Sequence, residues 1–144
     1  MLNDRPVEFV QNSRLITTDR ARIDVDAALA LLRTTFWAQD LKRETLARAI
    51  DNSVCFALLD SGRLLGFARV ISDLATFAYW TDVVIAASHR RQGLGRWLSE
   101  CMLSHPELQN LRRVALLTRD APDLYSAVGF TQGPGALTYM ERRP

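Results

Sequence analysis

The apolar run Val83-Val84-Ile85-Ala86-Ala87 leads into Arg90-Arg91-Gln92-Gly93-Leu94-Gly95-Arg96, and that turn opens a strongly patterned helix. A strand that passes through a basic, glycine-bearing turn into a helix start constrains the fold tightly. The first N–H groups of a helix have no internal partner and point out of its end. The macrodipole puts partial positive charge at the same place. Gly93 and Gly95 carry no Cβ, which lets a ligand approach the main chain closely. The flanking arginines suit a polyanion, and a pyrophosphate matches such a pocket.

At 144 residues and 48% hydrophobic content, the chain is sized for a single domain, 1–144, with one real core. No apolar run approaches the ~20 residues of a membrane helix. Residues Met1 to Pro6 lack a basic region followed by an apolar one, so the expected location is cytoplasmic, with no membrane partner. A net charge of +2, without a basic stripe or aromatic platform, points away from nucleic acid. Cys55 and Cys101 form no CxxC pair or Cys/His cluster. They read as buried free thiols, and no metal site is expected.

Ser13 to Thr18 reads as a first strand. Asp24 is placed to cap a helix carrying Val25, Ala28, Leu29, Leu32 and Phe36 at helical spacing. Asp40 is placed to cap a second helix, Leu41 to Asp51, with Leu46, Ala49 and Ile50 inward. Val54 to Leu59 and Leu64 to Ile71 read as a hairpin about Asp60-Ser61-Gly62-Arg63. A turn near Asp73 leads to a long strand, Thr76 to Ala86. After the glycine loop, Leu94, Trp97, Leu98, Cys101 and Met102 form the apolar stripe of a helix that Pro106 stops. Arg113 to Thr118 reads as a buried strand. Asp120 is then expected to cap a short helix that Gly129 ends, and Leu137 to Glu141 to add a closing strand.

This order of elements and its motifs resemble the GNAT superfamily of acyl-CoA-dependent N-acyltransferases. The family's Gln/Arg-x-x-Gly-x-Gly/Ala motif follows a strand and starts a helix, and Arg90, Gly93 and Gly95 fill it. A second signature is an aliphatic strand, a short helix with a tyrosine, then Gly-Phe. Leu116-Leu117 followed by Leu124-Tyr125-Ser126-Ala127-Val128-Gly129-Phe130 fits it. Gly66-Phe67-Ala68-Arg69 matches the strand before the motif, and the likeness spans roughly Val54 to Tyr139. The resemblance implies a mixed α+β (α/β) fold. Its central, mostly antiparallel sheet would hold about six to seven strands, splayed between the fourth and fifth (76–86 and 113–118) and flanked by about four helices. A Rossmann dinucleotide site is the other glycine-loop option, but Arg96 stands near where its third glycine is required.

What the resemblance implies chemically is acetyl transfer from acetyl-CoA to a primary amine. The acceptor would be a small molecule in preference to a protein lysine, and a homodimer is common among relatives. Main-chain groups of Val83, Val84 and Ile85 would pair with the pantetheine arm. The loop Arg90, Arg91, Gln92, Gly93, Leu94, Gly95 and Arg96 would hold the pyrophosphate. Thr118 stands where many members place an asparagine against pantetheine, and Arg91 where many carry glycine. Tyr125 is either the general acid for the leaving thiolate or a core tyrosine. Relatives with a strand carboxylate as base place it near Tyr79, which is no acid. Asp82, on the opposite parity, is either that base or a structural acid held by the backbone or an arginine. His89 reads as a solvated loop histidine or a phosphate contact, and His105 as a partner of the preceding helix's C-terminal dipole. Phe36, Trp37 and Trp80 are core aromatics or the wall of an acceptor cleft. A module that binds acyl-CoA without turnover is the competing reading.

Overall fold

The structure, a computed structural model, describes residues 5–144. The reading of residues 1–4 as free of a leader pattern lies outside the described residues. Six strands form one sheet in the order β1-β2-β3-β4-β5-β6. They are β1 (Glu8–Gln11), β2 (Arg14–Thr17), β3 (Val54–Asp60), β4 (Arg63–Ser72), β5 (Phe77–Ile85) and β6 (Arg113–Leu116). All neighbours run antiparallel except β5 and β6, which are parallel. The helices are α1 (Val25–Leu32), α2 (Arg43–Asp51), α3 (Leu94–Leu103) and α4 (Pro122–Ser126).

The sheet carries a core on each face. Phe56, Leu58, Val70 and Trp80 meet Leu94, Leu98 and Met102 of α3 and Tyr125 of α4. Ala57, Leu59, Phe67 and Val84 meet Leu29 and Leu32 of α1 and Leu46 and Ile50 of α2. β3 is buried on both faces, so it reads as an unbroken apolar run instead of an alternation.

Local chemistry fixes the turns. Ser61 (φ 50°) and Gly62 (φ 82°) are both left-handed, the type I′ geometry that suits the twist of a two-residue hairpin. The Asp73 carboxylate accepts from Ala75, Thr76 and Phe77 N–H and from the Thr76 hydroxyl. That closes the β4–β5 turn and holds its carboxyl well below the usual range. Asp24 caps α1 as expected, accepting from Asp26 and Ala27 N–H at 2.9 and 3.1 Å.

Sequence expectations are corrected at several elements. β1 is an extra, exposed edge strand ahead of β2. Asp40 does not cap α2; Lys42 holds that position without a side-chain bond. Asp120 does not cap α4; it pairs with Arg119, and the Thr118 hydroxyl accepts the Ala121 N–H at 3.0 Å instead. Leu137 to Glu141 is not paired as a strand. Its Leu137, Tyr139 and Met140 are exposed, and without a buried face an apolar segment gains little by adding to a sheet.

Candidate active site in the splayed sheet

β6 pairs with β5 only from Phe77 to Trp80. Beyond Trp80, the β6-facing side of β5 has no strand partner, and a cleft of about 670 Å³ opens there. A bulge sits at this point. Phe67 faces Val84 and Arg69 faces Thr81, so β5 carries one residue more than β4 between the same two pairs. Asp82 takes φ 56° there, a conformation that aspartate tolerates better than most side chains. The extra residue reverses the strand's parity. Ala78 and Trp80 face α3, whereas Val84 faces α1 and α2. The alternation read from sequence over 77–86 therefore breaks midway.

The cleft brings together Val83–Ile85, the loop 90–96 apart from Gln92, and Tyr125. Gly93, at φ 76°, is the N-cap residue of α3, and Arg91 at φ 63° is left-handed too. This explains why glycine is common at position 91 of such loops. Two left-handed residues so close in the turn favour convergence of N–H groups on an anion. Gly95 lies in the first turn of α3, where an added Cβ would reach Leu124 Cδ2 at 3.4 Å. Four arginines (Arg90, Arg91, Arg96 and Arg119) and His89 line the walls, and the acid among the lining residues is Asp120. Arg119 neutralises that acid, with contacts of 3.0 Å from both Nε and Nη2. The remaining charge is positive and suits a phosphate-rich ligand.

Tyr125 is 9% exposed and packs edge-on against Trp80 and Phe130, with centroids 6.4 and 6.0 Å away. Gly129, at φ 103°, turns the chain so that Phe130 N–H donates to Tyr125 O at 3.0 Å. No buried polar side-chain atom of the described residues lacks a hydrogen-bond partner. The Tyr125 hydroxyl forms no bond to the described protein, so it opens to the cleft. Burial lifts its pKa.

Other candidate residues stand elsewhere. The Gln92 amide oxygen accepts from Arg14 Nη2 at 3.1 Å, outside the cleft lining. Thr118 is outside it as well, its hydroxyl engaged at Ala121. Asp82 is 2.9 Å from Arg69 Nε and accepts from Trp37 Nε1 at 3.1 Å. His89 lines the cleft with Nδ1 2.7 Å from Ser88 Oγ. His105 is corrected: instead of serving the helix before it, its Nδ1 accepts the Glu107 N–H at 3.1 Å and caps the following 3-10 turn. Trp80 is core, but Phe36 and Trp37 are 49% and 45% exposed and line the cleft. Sequence reasoning did not single out their neighbours Thr34, Thr35 and Gln39, or Arg119, whose guanidinium lies 3.6 Å from the Phe36 ring centroid. The loop between α1 and α2 carries no motif. The expected helical stripe through Phe36 is corrected, since α1 ends at Leu32 and leaves Phe36 and Trp37 together in the loop.

Comparison with known proteins agrees with this architecture. The family model described as Acetyltransferase (GNAT) domain matches residues 51–132. A Gibberella zeae protein described as a candidate acetyltransferase, FG08082, is 30% identical, covering 92% of this chain and 96% of its own length. The crystal structure of a candidate GNAT-family acetyltransferase from Xanthomonas campestris pv. campestris superposes with a TM-score of 0.84 at 41% identity, over 91% of this chain and 93% of that one. A Clostridium acetobutylicum protein classed as an acetyltransferase and solved with acetyl-CoA shares the fold, with a TM-score of 0.64 at 12% identity over 83% and 90% of the two chains. With the family model matching more than half of its length and a relative aligned across nearly all of it, this chain belongs to the GNAT acetyltransferases.

Proposed function

We propose that this protein transfers the acetyl group of acetyl-CoA directly to a primary amine on a small molecule, in a ternary complex. The observation that carries the reading is the continuity of one cleft from the N-terminus of α3, along the unpaired half of β5, to Tyr125. Acetyl-CoA would supply the activated acyl group as a thioester. The amides and arginines of loop 90–96 suit its diphosphate. The main chain of Val83–Ile85 suits its amide-bearing arm, which would bind as an added strand. A β5 N–H would stabilise the oxygen that gains charge. Holding amine and thioester together removes much of the entropic barrier. The Tyr125 hydroxyl would give its proton to the departing sulfur, and the amine's proton would leave through water.

A small acceptor is supported by the cleft walls, where Phe36, Trp37 and Arg119 line the same open cleft as Tyr125. A second reading is supported by one specific observation: position 79 is not an acid, and both Asp82 oxygens already accept bonds. On that reading the chain binds acyl-CoA and transfers nothing. Calorimetric titration with acetyl-CoA, paired with thiol release over a panel of primary amines, tests both. Binding with amine-dependent release is the expected result. Binding without release for every amine selects the second reading, and no affinity for any CoA species ends both.

A further inference from the structure

We infer that Asp82 is a positioning residue that fixes the acceptor-side wall of the cleft through Trp37, and is not the proton acceptor of the reaction. The inference rests on the transfer reading above. The carboxylate is poorly placed to take a proton from an amine. It is outside the cleft lining, its side chain is 10% exposed, and each oxygen already accepts a donor. On one side stands Arg69, itself 15% exposed and anchored by Nη1 to Ser53 Oγ at 3.0 Å. Ser53 Oγ in turn donates to Ala49 O of α2 at 2.6 Å. On the other side stands the Trp37 indole N–H, at 3.1 Å.

The loop that bears Trp37 is tied down at its two ends. Thr34 and Thr35 hydroxyls donate back to Leu31 O and Leu32 O, each at 2.6 Å, and Arg33 Nη2 donates to Leu41 O at 2.8 Å. Its middle, Phe36 and Trp37, stands half in solvent and packs one ring edge-on against the other at 5.1 Å. Packing alone does not lock a half-exposed indole. The bond to a clamped carboxylate does. The bulge makes this bond, because the extra residue in β5 turns Asp82 from the α3 face to the Arg69 face. The backbone device that breaks the strand's parity thus also sets where an aromatic wall stands.

The test compares Asp82→Asn, Trp37→Phe and the double variant. Trp37→Phe keeps the Arg69–Asp82 pair and removes the indole N–H together with part of the ring, so it separates positioning from folding. Misplacing a wall by about 1 Å costs up to roughly 100-fold, so KM for the amine should rise about ten-fold or more in each single variant. In each, the pH profile of kcat and the acetyl-CoA affinity stay near wild type. The double variant should be no worse than the worse single one. The indole N–H proton of Trp37, assigned by its disappearance in Trp37→Phe, should be slow to exchange in the wild type and fast in Asp82→Asn. A large fall in kcat with a shifted pH profile in Asp82→Asn, alongside an unaffected Trp37→Phe, overturns the inference. So does an indole proton that exchanges equally fast in wild type and Asp82→Asn. That exchange reading needs no turnover, so it decides whether Asp82 holds Trp37 even if no amine is acetylated and the transfer reading itself fails.

Discussion

The Tyr125 hydroxyl is the group in the cleft whose removal is simplest to interpret. Burial lifts its pKa above the ordinary value of 10.0, so it is fully protonated at neutral pH. It makes no hydrogen bond within the described protein, so its loss should leave Tm almost unchanged. Tyr125→Phe should lower kcat by about 100-fold or more while acetyl-CoA affinity stays within about two-fold, as steady-state kinetics and calorimetry would record. Arg91 offers the opposite trade. A left-handed non-glycine residue costs about 1 kcal/mol, so Arg91→Gly should raise Tm by roughly 3 °C. The same variant loses a cation from the wall and should weaken acetyl-CoA binding a few-fold, an effect that grows at low salt. A variant that is more stable but binds no more weakly would remove Arg91 from the phosphate site.

At the scale of elements, β4 and β5 approach closely at Gly66. A Cβ at Gly66 would stand 2.8 Å from Ile85 Cδ1 and 3.2 Å from Val84 O. Gly66→Ala should therefore cost about 1–3 kcal/mol in chemical denaturation, and it should weaken acetyl-CoA binding because β5 is displaced. The 3-10 turn after α3 carries a pH dependence. Burial lowers the pKa of its cap, His105, below 6.5. The stability His105 contributes is whole above about pH 6.5 and is lost as pH falls from there through the folded value, since the unfolded chain takes up the proton more readily. His105→Asn keeps a cap and removes the titration, so its Tm should fall less than wild type between pH 7 and 5. These elements also show what the sequence could reveal. The β3–β4 hairpin and α3 are legible because turn chemistry and apolar spacing are local. The β5 bulge is not, because it is defined by pairing with β4 and leaves no mark in β5 alone. β1 is exposed and short, so it lacks the alternation that betrays a strand. The segment 137–141 has that look but finds no face to bury.

At the scale of the whole molecule, two cores share one sheet, and in β5 the reversal of parity decides which residues reach which core, Trp80 the first and Val84 the second. The family was legible because its motifs lie on either side of the splay. The Phe36–Trp37 wall was one of two readings the sequence left open, because its place depends on a long-range bond to Asp82. Both thiols lie in the cores, and burial pushes each up to about 12. The native protein should therefore resist an aromatic disulfide reagent at pH 8, and both cysteines should react once the chain is denatured. Rapid reaction of the native protein would reveal that one face opens readily. The same inertness gives a thiol-release assay a clean baseline.

The unpaired length of β5 divides what is hard to change from what is easy. Recognition through peptide groups is blind to side-chain identity, so on the proposed binding mode drift along that strand would leave the acyl donor unaltered. On the transfer proposed above, the choice of acceptor would fall to a few exchangeable side chains on a short connecting loop. A library confined to positions 34–39 should thus redirect the enzyme toward new amines without eroding its hold on the donor.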